Sequence, residues 1–273
     1  MQPDAREEIR FGFGDNWRAF LDHIDAGRIA GAEQSLQSLL GRERLDGLRF
    51  LDVGSGSGLF SLVARRLGAS VHSFDYDPAS VASTAMLRER YHPSDTGWIV
   101  ERGSVLDETY LDRLGTFDIV YSWGVLHHTG AMHRAIELAA SRVRPGGDFA
   151  FALYRATRLC WAWKIEKRWY VRASPAMQSA ARAAYTKLLG AALLATGRNL
   201  KSYVEGYRSN RGMNFQHDLH DWMGGYPYES IRPAEVEALM RRLGFERAGS
   251  VTRPYETGFF GSGCDEYRYR RSR

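Results

Sequence analysis

The middle of the chain alternates short apolar runs with stretches of helical periodicity. RFLDV (49–53) is apolar-biased and runs into glycines, as a buried strand does, and behind it Leu59, Leu62, Val63, Ala64 and Leu67 recur at helical spacing. The pairing then repeats. VHSFD (71–75) alternates as a second strand and precedes a helix over 79–91, and WIVERGSVLD (98–107) is a third strand entering a polar turn. FDIVYSWGVLHHT (117–129) supplies a fourth strand and its exit segment, a helix over 131–143 stops at RPGG (144–147), and DFAFALY (148–154) is the fifth strand. Successive units of this kind predict an α/β fold with a doubly wound, mostly parallel sheet and a ligand at the carboxyl ends of the strands.

Both ends depart from that pattern. In 1–45, Asp15 or Asn16 is placed to cap a helix carrying Trp17, Phe20, Leu21 and Ile24, and Ile29, Leu36, Leu39 and Leu40 mark a second, so this stretch reads as a helical cap. FGFGDNW (11–17) before it is either an aromatic staple onto the main body or a flap over a ligand. After Tyr154, the residues Trp161, Trp163, Ile165, Trp169 and Tyr170 and then an alanine-rich amphipathic run predict helices. The α/β pattern resumes with an amphipathic helix over 233–245, a strand over 246–254 and a last strand over 265–271. The expected division is a cap (1–45), a sheet domain (46–154 and 232–273) and a helical insertion (155–231) on the ligand side of the sheet.

Composition leaves this picture intact. The 273 residues are 44% hydrophobic and 25% charged, ordinary for a globular protein. Net charge is +5, but Arg268, Arg270, Arg271 and Arg273 face only Asp265 and Glu266 locally, so the basic balance reads as a tail effect and argues little for nucleic acid. Cys160 and Cys264 lie far apart without a Cys-x-x-Cys, which fits a reducing cytoplasm and gives no diagnostic metal spacing. MQPDAREEIR lacks a signal-peptide core, and LLGAALLATG from Leu188 is about half a membrane span, so a cytoplasmic protein without a membrane partner is expected.

The chemistry concentrates at LDVGSGSG (51–58). Glycines at 54, 56 and 58 free the backbone to turn sharply before a helix N-terminus. The spacing is G-x-G-x-G, and Asp52 stands before the first glycine; a carboxylate there suits a cationic group and repels a pyrophosphate. That disfavours the rival reading, an NAD-dependent oxidoreductase. The stretch resembles the first motif of class I S-adenosylmethionine (SAM)-dependent methyltransferases, whose cofactor carries an ammonium and a sulfonium. The resemblance covers 45–154 by motif and 232–271 by order of elements, and implies a seven-stranded sheet whose last strand is antiparallel. It also implies that Asp52 neutralises the cofactor ammonium, directly or through water, beside Gly54, Ser55, Gly56 and Gly58. Asp75, about twenty residues beyond the loop, takes the ribose, with Tyr76 packing on the adenine. Ser104 and Val105 contact the base, and Ser122 and Trp123 close on the methionine end. Asp77 before Pro78 and Asp107 read instead as helix caps.

His127 and His128 follow within one helical turn of the fourth strand's exit. Each either bonds a backbone carbonyl or acts on an acceptor, and His128 is the first candidate for general base. Tyr154, at the end of the fifth strand, is a candidate acceptor contact. RGMNFQHDLHDWMGGYPYE (211–229) crowds His217, Asp218, His220, Asp221, Trp222, Tyr226 and Tyr228 together in what does not read as a helix surface. It is either a capped turn or a pocket for a polar acceptor, with His217 or Asp218 as a second base; a metal held by these and the His pair lacks diagnostic spacing. The expected activity is methyl transfer from SAM to a polar small molecule, at a hydroxyl, by in-line displacement. The alternative within the class is an RNA or protein methyltransferase, against which stand the missing basic stripe and base-flipping motif. Acceptor identity, the O, N or S character of the product and oligomeric state are not legible.

Overall fold

Strand alternation sets the architecture. In the computed structural model, which describes residues 11–12, 24–211, 215–252, 259 and 263–273 (without the side chains of 208–211 and 217), the chain forms two units. The larger comprises Gly12–Thr157, Glu229–Thr257 and Ser262–Arg273. Its described elements begin with α1 (Ala26–Leu40), β1 (Arg49–Val53), α2 (Leu59–Arg66), β2 (Ser70–Asp75), α3 (Pro78–Tyr91) and β3 (Trp98–Arg102). They continue with α4 (Glu108–Leu114), β4 (Phe117–Trp123), a 3-10 turn (Leu126–His128), α5 (Met132–Ser141) and β5 (Val143–Tyr154). The sheet has seven strands in the order β3-β2-β1-β4-β5-β7-β6, where β6 is Phe245–Val251 and β7 is Cys264–Arg271. β1 to β5 pair in parallel, and β7 runs antiparallel to both neighbours, as the resemblance implied.

The period of two sorts each strand between two cores. Leu51, Val53, Val120, Phe149 and Phe151 join one cluster with Leu111, Ala135, Ile136, Val236 and Leu239. Phe50, Val71, Ile119, Tyr121 and Ala150 join the other with Leu36, Leu62 and Leu87. Helices therefore cover both faces of the sheet, α1 to α3 on one side and α4, α5 and α10 (Pro233–Arg242) on the other. Asp25 caps α1, and Asp77 and Asp107 cap α3 and α4 as expected of them.

Three expectations need correction. RPGG does not lie outside the sheet: Val143 already pairs with Phe117, the register shifts, and pairing resumes at Asp148 with Ile119, so the turn is a bulge inside β5. The basic C-terminal residues are no loose tail. Arg270 grips the buried Asp148 carboxylate at 3.1 and 3.2 Å, Arg271 donates to the Ser141 and Val143 carbonyls, and Arg268 donates to the Leu40 and Ala248 carbonyls. Finally, part of 211–229 is a helix.

That helix belongs to the second unit, whose described residues are Phe11, 158–211, 215–228 and Phe259. It contains α6 (Cys160–Tyr170), α7 (Pro175–Ala195), α8 (Leu200–Arg211) and α9 (Phe215–Gly224). Phe215, Leu219 and Met223 recur every fourth residue and pack with Tyr170, Leu189 and Leu193, an apolar stripe hidden among the polar residues of the segment. The Phe11 N–H donates to the Tyr226 carbonyl at 3.1 Å. The expected cap at Asp15 or Asn16, and Trp17, Phe20 and Leu21, lie outside the described residues, and with them the choice between staple and flap. Among the described residues, no helix is long and apolar enough to cross a membrane.

Candidate cofactor and acceptor site

The loop between β1 and α2 turns on positive-φ glycines, Gly54 at 79°, Gly56 at 54° and Gly58 at 79°, a region that strains any side chain. Space adds a second constraint: a Cβ on Gly54 would stand 2.5 Å from both Val125 methyl carbons, and one on Gly58 2.9 Å from Thr84 Cγ2. The loop is stitched to the end of β2. Gly54 and Ser55 N–H both donate to the Phe74 carbonyl, at 2.9 and 3.1 Å, and Gly56 N–H donates to Asp75 Oδ2 at 3.0 Å. Ser55 Oγ lies 2.9 Å from Thr84 Oγ1 of α3. Asp75 Oδ1 accepts from its second backbone partner, Asp77 N–H, at 2.9 Å, and burial raises the carboxyl to a pKa of about 6 against these stabilising bonds. Asp75 thus ties the glycine loop to the start of α3 and sits at the strand end where the sequence placed it.

Asp52 is turned away from the loop. It shares the parity of Phe50 and so points toward α2, where it is 2% exposed and its Oδ2 accepts from Ser61 Oγ at 2.5 Å. Ser61 Oγ lies 2.7 Å from Ser73 Oγ, which accepts from Trp98 Nε1 at 2.8 Å. Because the Ser61 proton is used on Asp52, Ser73 donates to Ser61, and the relay of N–H and O–H groups ends on the carboxylate. Burial lifts the Asp52 carboxyl to a pKa of about 7, with the Ser61 bond opposing and the Asp75 charge adding. A direct contact from this carboxylate to a ligand at the loop surface is not the geometry found.

The other strand ends present mixed surfaces. The Tyr76 ring is 56% exposed, with the Arg102 guanidinium 5.8 Å from its centroid. Ser104 Oγ accepts from Leu106 N–H at 3.2 Å, and Val105 is buried in the core. Ser122 is fully buried and donates to the Val53 carbonyl at 3.0 Å, so it joins β4 to the entry of the glycine loop. Trp123 is exposed and donates its indole N–H to Glu266 at 2.9 Å.

Beyond β4 the chain folds into the 3-10 turn that carries the histidine pair. His127 is fully buried; its Nδ1 accepts from Tyr154 N–H at 3.4 Å, and its ring lies 4.0 Å from the Tyr154 ring and 4.4 Å from that of His128. His128 is half-buried, and its ring meets Tyr154 edge-on at 5.4 Å. The structure thus gathers His127, His128 and Tyr154 at one end of the sheet. It adds a residue that the sequence reading missed. Glu229 N–H donates to the His127 carbonyl at 3.0 Å, while its carboxylate accepts from Met132 N–H at 2.9 Å and caps α5, whose own N-cap, Ala131, has no side-chain acceptor. That bare alanine was the available signal.

Asp218 belongs to the helical unit, where it accepts a short hydrogen bond from the Tyr207 hydroxyl; the His217 side chain lies outside the described residues. On α9, His220 Nδ1 is 2.7 Å from the Tyr170 hydroxyl and 3.0 Å from Arg182. Among the described residues no group of three His, Cys, Asp or Glu side chains could hold a metal ion.

Sheet order, antiparallel β7 and a glycine loop backed by an acid at the end of β2 define the class I, Rossmann-like methyltransferase fold. The family model described as a methyltransferase domain matches residues 22–246, and the chain belongs to that family. Among curated relatives, it is 32% identical over 156 residues to a ubiquinone biosynthesis O-methyltransferase of Paramagnetospirillum magneticum, covering 55% of this chain and 60% of that one. A protein of the same name from Rhizobium leguminosarum is 34% identical over 103 residues, covering 38% and 39%. The chain therefore spans less than two thirds of these relatives. Among solved structures, the fold is similar to magnesium protoporphyrin IX methyltransferase from Synechocystis PCC 6803 with bound SAH, with a TM-score of 0.54 and 15% identity over 92% of this chain and 86% of that one. It is also similar to an O-methyltransferase family protein from Burkholderia thailandensis, with a TM-score of 0.56 and 14% identity over 94% and 59%.

Proposed function

We propose that the protein is a SAM-dependent methyltransferase acting on a hydroxyl of a polar small molecule. The observation that carries this reading is the acid-backed glycine loop: the side chains bonded to its backbone among the described residues are the Asp75 carboxylate and the Thr84 hydroxyl, and none is a cation. Such a donor set suits an adenosine ligand with a cationic amino-acid end and opposes a pyrophosphate. The family match and SAM- or SAH-bound relatives of the same fold support the cofactor, and relatives named O-methyltransferases support a hydroxyl.

When bound, SAM would supply a methyl group on a sulfonium, from which the neutral thioether leaves with the electrons of the C–S bond and without help from an acid. The protein's work is then alignment, exclusion of water and removal of one proton. In this reading the Gly54–Gly58 backbone and Ser55 receive the methionyl end, and the lone pairs of Asp75 not held by Gly56 and Asp77 accept from the ribose hydroxyls. Tyr76, Ser104 and Val105 border the adenine and Trp123 the methyl end, while Ser122, fully buried, serves that end from behind by holding β4 to Val53 at the entry of the loop. Asp52 acts from behind the loop, by its charge and the Ser61 bond. His128 would take the proton of the acceptor hydroxyl. His127 and Tyr154 fix its orientation, and His217 and Asp218 are the second source of a base.

The segment 155–231 is the proposed acceptor-selecting lid. Its ends support this: the chain leaves the sheet after Tyr154 and returns where Ile231 N–H meets the Tyr154 carbonyl at 3.0 Å, at the carboxyl end of β5. A reducing cytoplasm is the proposed compartment. The test is methyl transfer from label-bearing SAM offered separately with hydroxylated small molecules, RNA and protein. Label in the small-molecule fraction is the expected result, and label in RNA or protein alone contradicts the proposal.

A further inference from the structure

One face of α6 is built for a partner of a kind that methyl transfer does not require. Its inner face is fixed within the helical unit: the Trp163 ring lies 4.6 Å from that of Trp222, the Lys167 ammonium donates to the Trp222 carbonyl, and the Tyr170 hydroxyl bonds His220. The outer face carries Trp161, Ile165 and Trp169, 66%, 63% and 43% exposed, at successive fourth positions. The exposed cations Lys164 and Arg168 flank this stripe on the helix, and the exposed Arg158 and Arg172 stand just beyond its two ends. The sole acid of the segment, Glu166, points the other way, with both carboxylate oxygens buried. Among the described residues, no carboxylate pairs with any of the four cations.

We infer that this face of α6 rests on an anionic lipid bilayer surface, the helix lying in the interface with its two tryptophans at the headgroup level. Indole rings favour that level, and the long Arg and Lys stems keep apolar contact while their charges meet lipid phosphates. The absence of acids on the face is what selects the partner. A second copy docked face to face would set four cations against four, and a neutral surface would leave them unmatched. Lying on a bilayer also fits an 11-residue helix, too short to cross one. The inference does not depend on the reaction catalysed.

Vesicle flotation of the full chain tests it, with phosphatidylcholine alone and with about one quarter phosphatidylglycerol. The protein is expected to float with the anionic vesicles at low salt, and at least about ten-fold less with the neutral ones. Trp161→Ser with Trp169→Ser lowers partitioning about ten-fold or more by removing the apolar contact. Lys164→Gln with Arg168→Gln lowers it about five-fold per charge and flattens the salt dependence. Because these side chains are exposed, all variants keep the wild-type melting temperature and binding of S-adenosylhomocysteine. Protein that stays in the aqueous phase with anionic vesicles overturns the inference, as do variants that float like the wild type. So does a dimer in sedimentation velocity that the tryptophan substitutions dissolve, since the face would then be a protein interface.

Discussion

Replacing Asp75 by Asn separates binding from folding. The carboxylate holds two backbone N–H groups, Gly56 at 3.0 Å and Asp77 at 2.9 Å, from opposite sides of the loop. Asparagine keeps one carbonyl oxygen for one of these donors and turns an NH2 toward the other, so one charge-assisted bond is lost and one donor is stranded, about 1.5–3 kcal/mol. Against this loss, the buried carboxyl is already raised to a pKa of about 6, and above that pH the native state carries an ionised group whose burial is unfavourable. Asparagine relieves that cost. The two effects oppose each other in the ligand-free protein, and the unfolding free energy from urea titration near pH 7.5 should change by less than about 1.5 kcal/mol. Cofactor affinity has no such compensation, because the ribose loses an ionised acceptor: S-adenosylhomocysteine should bind about 10- to 100-fold more weakly by calorimetry. A folded Asp75→Asn variant with wild-type affinity would refute the ribose assignment.

Other substitutions probe separate parts of the account. Gly54→Ala places a Cβ 2.5 Å from Val125 at a φ of 79°, and should cost about 2–4 kcal/mol in chemical denaturation; a change under about 0.5 kcal/mol contradicts the steric reading. Asp52 has its folded pKa raised from 3.8 to about 7, so the native state holds its proton over a range where the unfolded chain has lost it. Stability should therefore fall as pH rises from about 4 to about 7 and level off above, and Asp52→Asn should flatten that slope in pH-dependent melting curves. Glu229→Ala removes the α5 cap and should cost about 1 kcal/mol. It should also lower kcat with little change in cofactor KM, because α5, which follows directly on the turn bearing His128, loses its side-chain link to Glu229 while the backbone bond from Glu229 N–H to the His127 carbonyl remains; an unchanged kcat removes the Glu229 carboxylate from the positioning role.

Local signals were the legible ones. Asp-Pro announced the cap of α3, the glycines the turn before α2, and alternation the five parallel strands. The antiparallel β7 came from the family resemblance, since pairing direction leaves no local mark. Asp52 shows what reading by neighbourhood leaves out: adjacency to Gly54 marks it for the loop, while the strand's period of two places it with Phe50, facing α2 and bonded to Ser61. In α9, charged residues between Phe215, Leu219 and Met223 masked a four-residue repeat. Glu229 was out of reach for a different reason, because its partner Met132 lies 97 residues earlier and only the folded sheet brings them together.

The central claim is that the loop at Gly54–Gly58 and the Asp75 carboxylate form a SAM site. Thermal unfolding of the full chain with S-adenosylhomocysteine or NADH at the same concentration tests it most directly. At about 100 times its dissociation constant, S-adenosylhomocysteine should add about 2.7 kcal/mol and raise the melting temperature by several degrees, an effect weakened by Asp75→Asn, while NADH leaves it unchanged. Stabilisation by NADH and not by S-adenosylhomocysteine would contradict the account.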